Sequence, residues 1–416
     1  MRFLRIDSHN PIFTILIAIA AIFTVVSVVI NPAQTLDASK EGLHIWWSMV
    51  FPALLPFFIL CDIVIAYGIV HALGVLIDPL LRKTLRLPGI AGWSLISSVL
   101  AGSPAGVETV VQLRQSGRID QLAGERITML SHFANPIFMI TVVAVAFLKR
   151  PDLALFICIV HYCSAIGCAI VLRNYLLPRN FVIEDNVRTP RPSVWTRVSM
   201  ALHEARQEDQ RSFGQILGEA VSGSLQKLMM VGGTIIMFSV LLELVSVMGI
   251  SGLIVDIVAW TNPPYLITNS GIDTLISGIL EVHMGIYSIS QQEHMSIIWM
   301  TSALCGMIGW GGLAVHMQVS ALLRPTDIRY SPFLLARLVQ SILSMLLALL
   351  LWQPYHRWLV PVKPSYLSNE AQTHQPAIDR ALFWDIYLPW TNSYVVFIIL
   401  TLMLATVIYS SRPRSS

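Results

Sequence analysis

The stretch "SSVLAGSPAGVET", residues 97–109, decides how this chain is read. Apolar residues lead into it and out of it. Its centre, Ala101-Gly102-Ser103-Pro104-Ala105-Gly106, is nevertheless turn chemistry: proline removes a backbone donor and glycine loosens the chain. In hydrocarbon an unpaired backbone N–H or C=O is heavily penalised, so irregular backbone survives at depth only inside protein or beside a water-filled cavity. A break here therefore predicts a polar cavity. The competing reading is a Pro/Gly kink within one full span.

The surroundings of the break read as membrane. Of 416 residues, 55% are hydrophobic and 12% charged, too little polar surface to cover a soluble core. Uncharged runs from Pro11 to Ile30 and from Thr391 to Tyr409 approach the ~20 residues that cross a bilayer. The first run reads as a retained anchor, without a convincing cleavage site. A net charge of +3, from 27 basic and 24 acidic residues, implies no nucleic-acid partner. The expected partners are the lipid bilayer and a small molecule, and a homo-oligomer is left open. Cys61, Cys158, Cys163, Cys168 and Cys305 lie in apolar segments without a Cys-x-x-Cys pair, so they read as packing residues. No cofactor or metal is expected.

Spans are predicted near 11–31, 45–70, 122–148, 152–177, 220–249, 297–320, 331–354 and 390–410. Two further apolar stretches, 89–115 and 268–292, are each interrupted centrally, so neither limb alone can cross. The fold class predicted is an all-α polytopic membrane protein of about eight transmembrane helices plus two re-entrant helical hairpins. The two interrupted stretches also resemble each other: Ser94-Leu-Ile-Ser-Ser-Val-Leu100 aligns with Thr274-Leu-Ile-Ser-Gly-Ile-Leu280 at an offset of 180 positions. Tyr67-Gly68-Ile69 matches Met248-Gly249-Ile250 at nearly the same offset. Equal spacing across several elements points to duplication.

Charge supplies the orientation. Arg2 and Arg5, the arginines of 178–212, Arg324, Arg329, Arg412 and Arg414 assign one side, and both termini, to the cytoplasm. Lys149, Arg150, Arg357 and Lys363 fall on the outer side and are the minority. With three crossings per unit, the second copy is inverted relative to the first, the plan of secondary transporters. The expected divisions are 1–44, an N-terminal anchor helix and outer loop; 45–177, the first repeat; 178–212, a cytoplasmic basic linker; 213–360, the second, inverted repeat; and 361–416, an outer loop and C-terminal helix.

The candidate site follows from the breaks. Gly102 and Gly106 allow close approach, Ser103 offers a hydroxyl, and the limb beginning at Pro104 presents free N–H groups and a positive dipole end, which suits a carboxylate or phosphate. In "LSHFANPIF", 130–138, Ser131 and Asn135 share a helical face and Pro136 loosens the turn before it. Interhelical hydrogen bonding is the alternative for both, and His132 reads as a packed or rim histidine. In the second copy, "LEVHMGI" places Glu281 and His283 at the tip, where a carboxylate costs at least ~2.5 kcal/mol and must pair, titrate or meet a solute. Gly309, Gly311 and Gly312 loosen the following helix, with His316 and Gln318 beyond; close helix packing is the alternative for the glycines. Asp62, Glu108 and Glu243 are candidates for coupling to a proton or cation. Arg337 reads as snorkelling from a helix end, with binding of an anionic ligand as its alternative, and Trp46, Trp47, Trp352, Tyr355 and Trp358 read as interface belts.

The segments "FPALLPFFIL", "AGSPAG", "SHFANPIF", "WGGLAVHMQV" and "TDIRYSPFLLARL" together resemble the YlbJ family of sporulation integral membrane proteins. That family is distantly similar to the nucleoside-recognition Gate domains of concentrative nucleoside transporters. The resemblance implies a role in spore formation: moving dipicolinate, a planar dicarboxylate, across the outer forespore membrane by alternating access. Two other functions stay open: a H⁺- or Na⁺-coupled carrier of nucleosides or another small organic anion, and a non-transporting sporulation scaffold. An enzyme is not expected, because neither His-Glu-x-x-His nor Gly-x-Ser-x-Gly occurs.

Overall fold

The computed structural model describes residues 11–174, 193–249, 252–253, 269–292 and 295–358. The expected span at 390–410, both chain ends and the 178–192 part of the linker lie outside the described residues. Every described element is helical.

The chain enters as α1 (Pro11–Ile30), and Pro32 then opens α2 (Pro32–Ala66), which widens into a π-helical turn at Trp46–Val50. The stretch before residue 45, expected as an outer loop, is thus helix. The reason is its small-residue face: Ala38, Gly42 and Ile45 are buried, and α10 (Phe213–Val247) lies so close that a Cβ on Gly42 would stand 2.9 Å from the Ile236 Cα. Ser239 donates to the Ala38 carbonyl at 2.7 Å across the same contact. Trp46 does not sit in an interface belt; it is buried there, its indole donating to the Leu228 carbonyl at 2.9 Å. Tyr355 is likewise buried, donating to the Asp152 carbonyl at 3.0 Å.

After α3 (Ile69–Leu80) comes the deciding stretch, as two helices laid against each other: α4 (Ala91–Ala101) and α5 (Ala105–Gln115). With 11 residues each, they rise about 17 Å, roughly half of the ~30 Å hydrocarbon core. Gly102 turns the chain at φ 78°, a left-handed value that L side chains resist, and the Ser103–Pro104 bond is cis. Ser94 donates to the Gly106 carbonyl at 2.7 Å, and a Cβ on Gly106 would lie 2.7 Å from that of Ser98. A second pair of short helices in contact, α11 (Asn269–Leu280) and α12 (Val282–Ser290), is broken at Glu281 and tied by Thr274 and Ser288 at 2.8 Å.

Two expected spans are not continuous. The 122–148 region divides into α6 (Gln121–Leu130), an irregular segment at 131–135, and the π-wound α7 (Phe138–Phe147). Pro136 offers no N–H and pushes its predecessor out of the helical region, so Ser131 and Asn135 do not share a helical face. The 297–320 region divides into α13 (Ile297–Trp310) and α14 (Gly312–Leu323), with Gly311 at φ 86° between them. Helices α8 (Pro151–Leu172), α9 (Val194–Glu208) and α15 (Ser331–Trp358) complete the described set. Among the described residues, five stretches are long and apolar enough to cross a membrane: Pro32–Ala66, Pro151–Leu172, Phe213–Val247, Ile297–Leu323 and Ser331–Tyr355. The protein is an integral membrane protein.

Charge gathers at one end of this bundle. Asp78 holds Arg82 at 2.5 Å and Arg197 at 2.7 Å, Arg126 donates to the carbonyls of Leu85, Arg86 and Arg173, and Arg329 grips Glu125 at 2.6 Å. Arg114, ending α5, forks onto both oxygens of Asp327 at 2.7 Å, and this bond holds the Asp327 carboxyl below the usual carboxylate range. Helix α8 also meets α15, where Ser344 donates to Ser164 at 2.7 Å in a buried contact; the two residues are 180 positions apart.

Candidate functional site

Four interruptions meet at one point: the α4–α5 turn, the 131–135 segment, the start of α12 and Gly311. Between them lies a cavity of about 100 Å³. Gly102, Ser103, His132, Asn135, His283 and Gly311 line it, with Leu54, Phe58, Phe138 and Ile308 among its apolar walls.

Each polar group is aimed by local chemistry. The Asn135 side-chain oxygen accepts from the Phe138 amide at 2.7 Å, capping the start of α7 and turning the amide nitrogen toward the α4–α5 turn. A Cβ on Gly102 would lie 3.0 Å from that nitrogen, which has no acceptor among the described residues. The Ser103 hydroxyl and the His132 Nδ1 are buried without a hydrogen-bond partner among the described residues. The His132 ring stands edge-on to Phe333 at 5.7 Å, and Gly311 makes room for it: a Cβ there would come within 2.7 Å of Nε2. Glu281 caps α12, one oxygen accepting from the Met284 amide at 2.8 Å and the other 2.6 Å from His283 Nδ1. The N-termini of α5 and α14 carry no side-chain cap.

Arg337 does not snorkel. It is 1% exposed, and its guanidinium donates to the Met129 carbonyl at 2.9 Å and the His132 carbonyl at 3.1 Å, with Gly309 O at 3.5 Å. Those carbonyls belong to the C-terminal ends of α6 and α13, which the breaks leave without intrahelical donors and which carry the negative ends of the helix dipoles. A fixed cation on a neighbouring helix satisfies both.

The Gate family, described as nucleoside recognition, matches residues 47–151, which span the π turn of α2 through the end of α7 and include the first pair of short helices and Asn135. The sporulation integral membrane protein YlbJ of Bacillus subtilis (strain 168) is 35% identical over 353 residues, covering 85% of this chain and 86% of that protein. The chain belongs to the YlbJ family of sporulation integral membrane proteins. No solved structure matches it.

In this YlbJ-family chain the other sequence candidates stand farther from the cavity. Glu281 and Gly312 form the layer behind it, Gly312 lying so near that its Cβ would be 2.9 Å from the Val282 nitrogen. Gly106 and Ser131 sit in the packing of α4 on its neighbours, Ser131 meeting the Ser94 hydroxyl at 2.5 Å. His316 is held by Tyr330 at 2.5 Å and faces the Trp310 carbonyl at 3.2 Å. Asp62 pairs with Lys227 at 2.6 Å, Glu108 is exposed on the first turn of α5, and Glu243 lines a separate polar vestibule of about 370 Å³ with Glu41 and Asp273. His132 is the packed, rim histidine expected of it, and sequence reasoning misplaced the Arg337 side chain, which no local signal marks as a cap for helices distant in sequence.

Proposed function

We propose that this YlbJ-family protein is a carrier for a small organic anion, dipicolinate being the substrate that the family resemblance implies. The observation that carries the reading is the set of polar groups at the cavity without a partner among the described residues: the Ser103 hydroxyl, the Asn135 amide nitrogen and the His132 Nδ1. Buried donors without acceptors are penalised, so their persistence fits a ligand that supplies acceptors. The uncapped N-termini of α5 and α14 favour negative charge on that ligand. Phe58, Phe138 and Leu54 offer the apolar walls that a flat ring needs.

In this reading α4–α5 and α11–α12 are re-entrant hairpins entering from opposite faces, within inverted repeats at 45–177 and 213–360. The Ser164–Ser344 contact supports it: residues that correspond at the repeat offset touch each other only near a pseudo-two-fold axis. Gly68 at φ 78° and Gly249 at φ 70° end corresponding helices in the same left-handed turn. The basic end then faces the cytoplasm of the mother cell, with the protein in its outer forespore membrane. A cavity of about 100 Å³ is below the ~300–1,000 Å³ usual for ligand sites. Loading therefore requires the two tips to separate, as alternating access demands.

The match to the nucleoside-recognition family favours a second reading, transport of nucleosides. Liposomes containing the full chain, assayed for saturable uptake of labelled dipicolinate and of labelled uridine, separate the two. Saturable dipicolinate uptake that falls in Asn135→Leu is the expected result. Uptake of uridine alone selects the nucleoside reading, and uptake of neither leaves the scaffold.

A further inference from the structure

We infer that the Glu281–His283 pair binds a proton that travels with the anion, an inference that rests on the carrier reading above. The other carboxylates weighed for coupling are engaged or remote. Asp62 is gripped by Lys227 at 2.6 and 2.9 Å between α2 and α10, Glu243 belongs to the separate vestibule, and Glu108 is exposed on α5. Glu281 is instead 3% exposed and spends one oxygen on the Met284 amide. Its other oxygen faces His283 Nδ1 at 2.6 Å. His283 thereby keeps Nε2 without a partner among the described residues, on a ring that lines the cavity and is braced edge-on by Phe138 at 5.0 Å.

Proton occupancy of this pair sets the charge of the cavity wall. With one imidazole proton the pair carries one net negative charge; with a second it is neutral. An anion placed beside the first state is repelled, and the second state removes that repulsion. Binding is then reciprocal: the proton raises affinity for the anion and the anion raises affinity for the proton by the same factor, on the order of 5–150-fold for typical coupled sites. The proton enters on the imidazole from the phase that supplies the anion and leaves to the opposite phase when the tips part.

Neighbouring groups do not substitute for the pair. On the elements packed against α12, Asp273 of α11 and Glu243 of α10 line the vestibule, as does Tyr287 of α12 itself; Lys227 of α10 is held by Asp62, and Cys305 of α13 is a buried thiol. Across the cavity stand His132 and, behind it, Arg337, whose two terminal guanidinium nitrogens are occupied by carbonyls while its Nε is buried without a partner among the described residues.

The test uses the full chain in liposomes with two readouts. Exchange of labelled dipicolinate between equal concentrations on both sides reports the carrier by itself, and an entrapped pH dye reports proton movement under an inward dipicolinate gradient. The wild type is expected to exchange, to acidify the lumen under the gradient, and to gain about tenfold or more in apparent affinity in acidic relative to alkaline buffer. His283→Gln is expected to abolish acidification and flatten the pH dependence of whatever exchange remains. Glu281→Gln keeps an oxygen for the Met284 amide and is expected to do the same. Exchange without acidification in the wild type, or variants that still acidify, overturns the inference and leaves the carrier intact. Absence of wild-type exchange overturns the carrier reading and this inference together. The wild-type acidification decides on its own, so a variant that fails to fold does not shelter the inference.

Discussion

Replacing Arg337 by methionine keeps the length and apolar stem of the side chain but removes its donors. Two buried carbonyls, Met129 O at 2.9 Å and His132 O at 3.1 Å, lose their close partner; the longer contact to Gly309 O, at 3.5 Å, adds little to the sum. A buried acceptor left unsatisfied costs about 1–3 kcal/mol, so the pair loses roughly 2–6 kcal/mol. Relief of the arginine's own desolvation offsets part of this, and breaking one side of a buried charged contact falls near ~3–5 kcal/mol. The expected loss for Arg337→Met is about 3–4 kcal/mol. Arg337→Lys, a point charge without the planar fork, should reach one carbonyl and lose about half as much. Unfolding in mixed micelles, followed by circular dichroism, measures both, and hydrogen exchange should quicken at 129–135 in the methionine variant. A loss below about 1 kcal/mol for Arg337→Met would refute the reasoning, because a snorkelling arginine contributes no more than that.

Three other outcomes are expected. Ser103→Ala removes a hydroxyl that bonds to nothing among the described residues, so stability should stay within about 0.5 kcal/mol while dipicolinate affinity falls about tenfold, read by uptake in liposomes. Gly311→Ala forces a side chain into φ 86° and its Cβ to 2.7 Å from the His132 ring, and should cost about 2 kcal/mol or more in a micelle unfolding assay and depress uptake. Because the Arg114 guanidinium holds the Asp327 carboxyl below its ordinary value, this pair adds stability above the unfolded carboxylate's pKa and loses it as pH falls through the lower, folded value. Melting temperatures of wild type and Asp327→Asn should therefore differ above about pH 5 and converge well below about pH 4, with the gap narrowed by salt.

Much of the architecture was legible because it depends on local chemistry. Composition alone requires a membrane, and the Gly102-Ser103-Pro104 turn can be read as a break from the missing donor and the permissive dihedral of its residues. The same reading found the Pro136 and Gly311 breaks, although it still drew single spans through them. It mistook residues 32–44 for a loop because their polar side chains hide a small-residue face, visible only once α10 lies against Gly42.

What the sequence by itself determined is where this backbone fails to be helix, since proline, glycine and asparagine act on their immediate neighbours. Only the tertiary structure decided what those failures are for. Whether Ser131 bonds to Ser94 or faces a ligand depends on how α4 packs, and Arg337 is a cap because two helices, ending at Leu130 and Trp310, leave carbonyls open at its position, that of His132 205 residues away and that of Gly309 28 residues away. Unpaired groups are created locally and satisfied at long range, so the first half of that account can be read along a chain and the second half cannot.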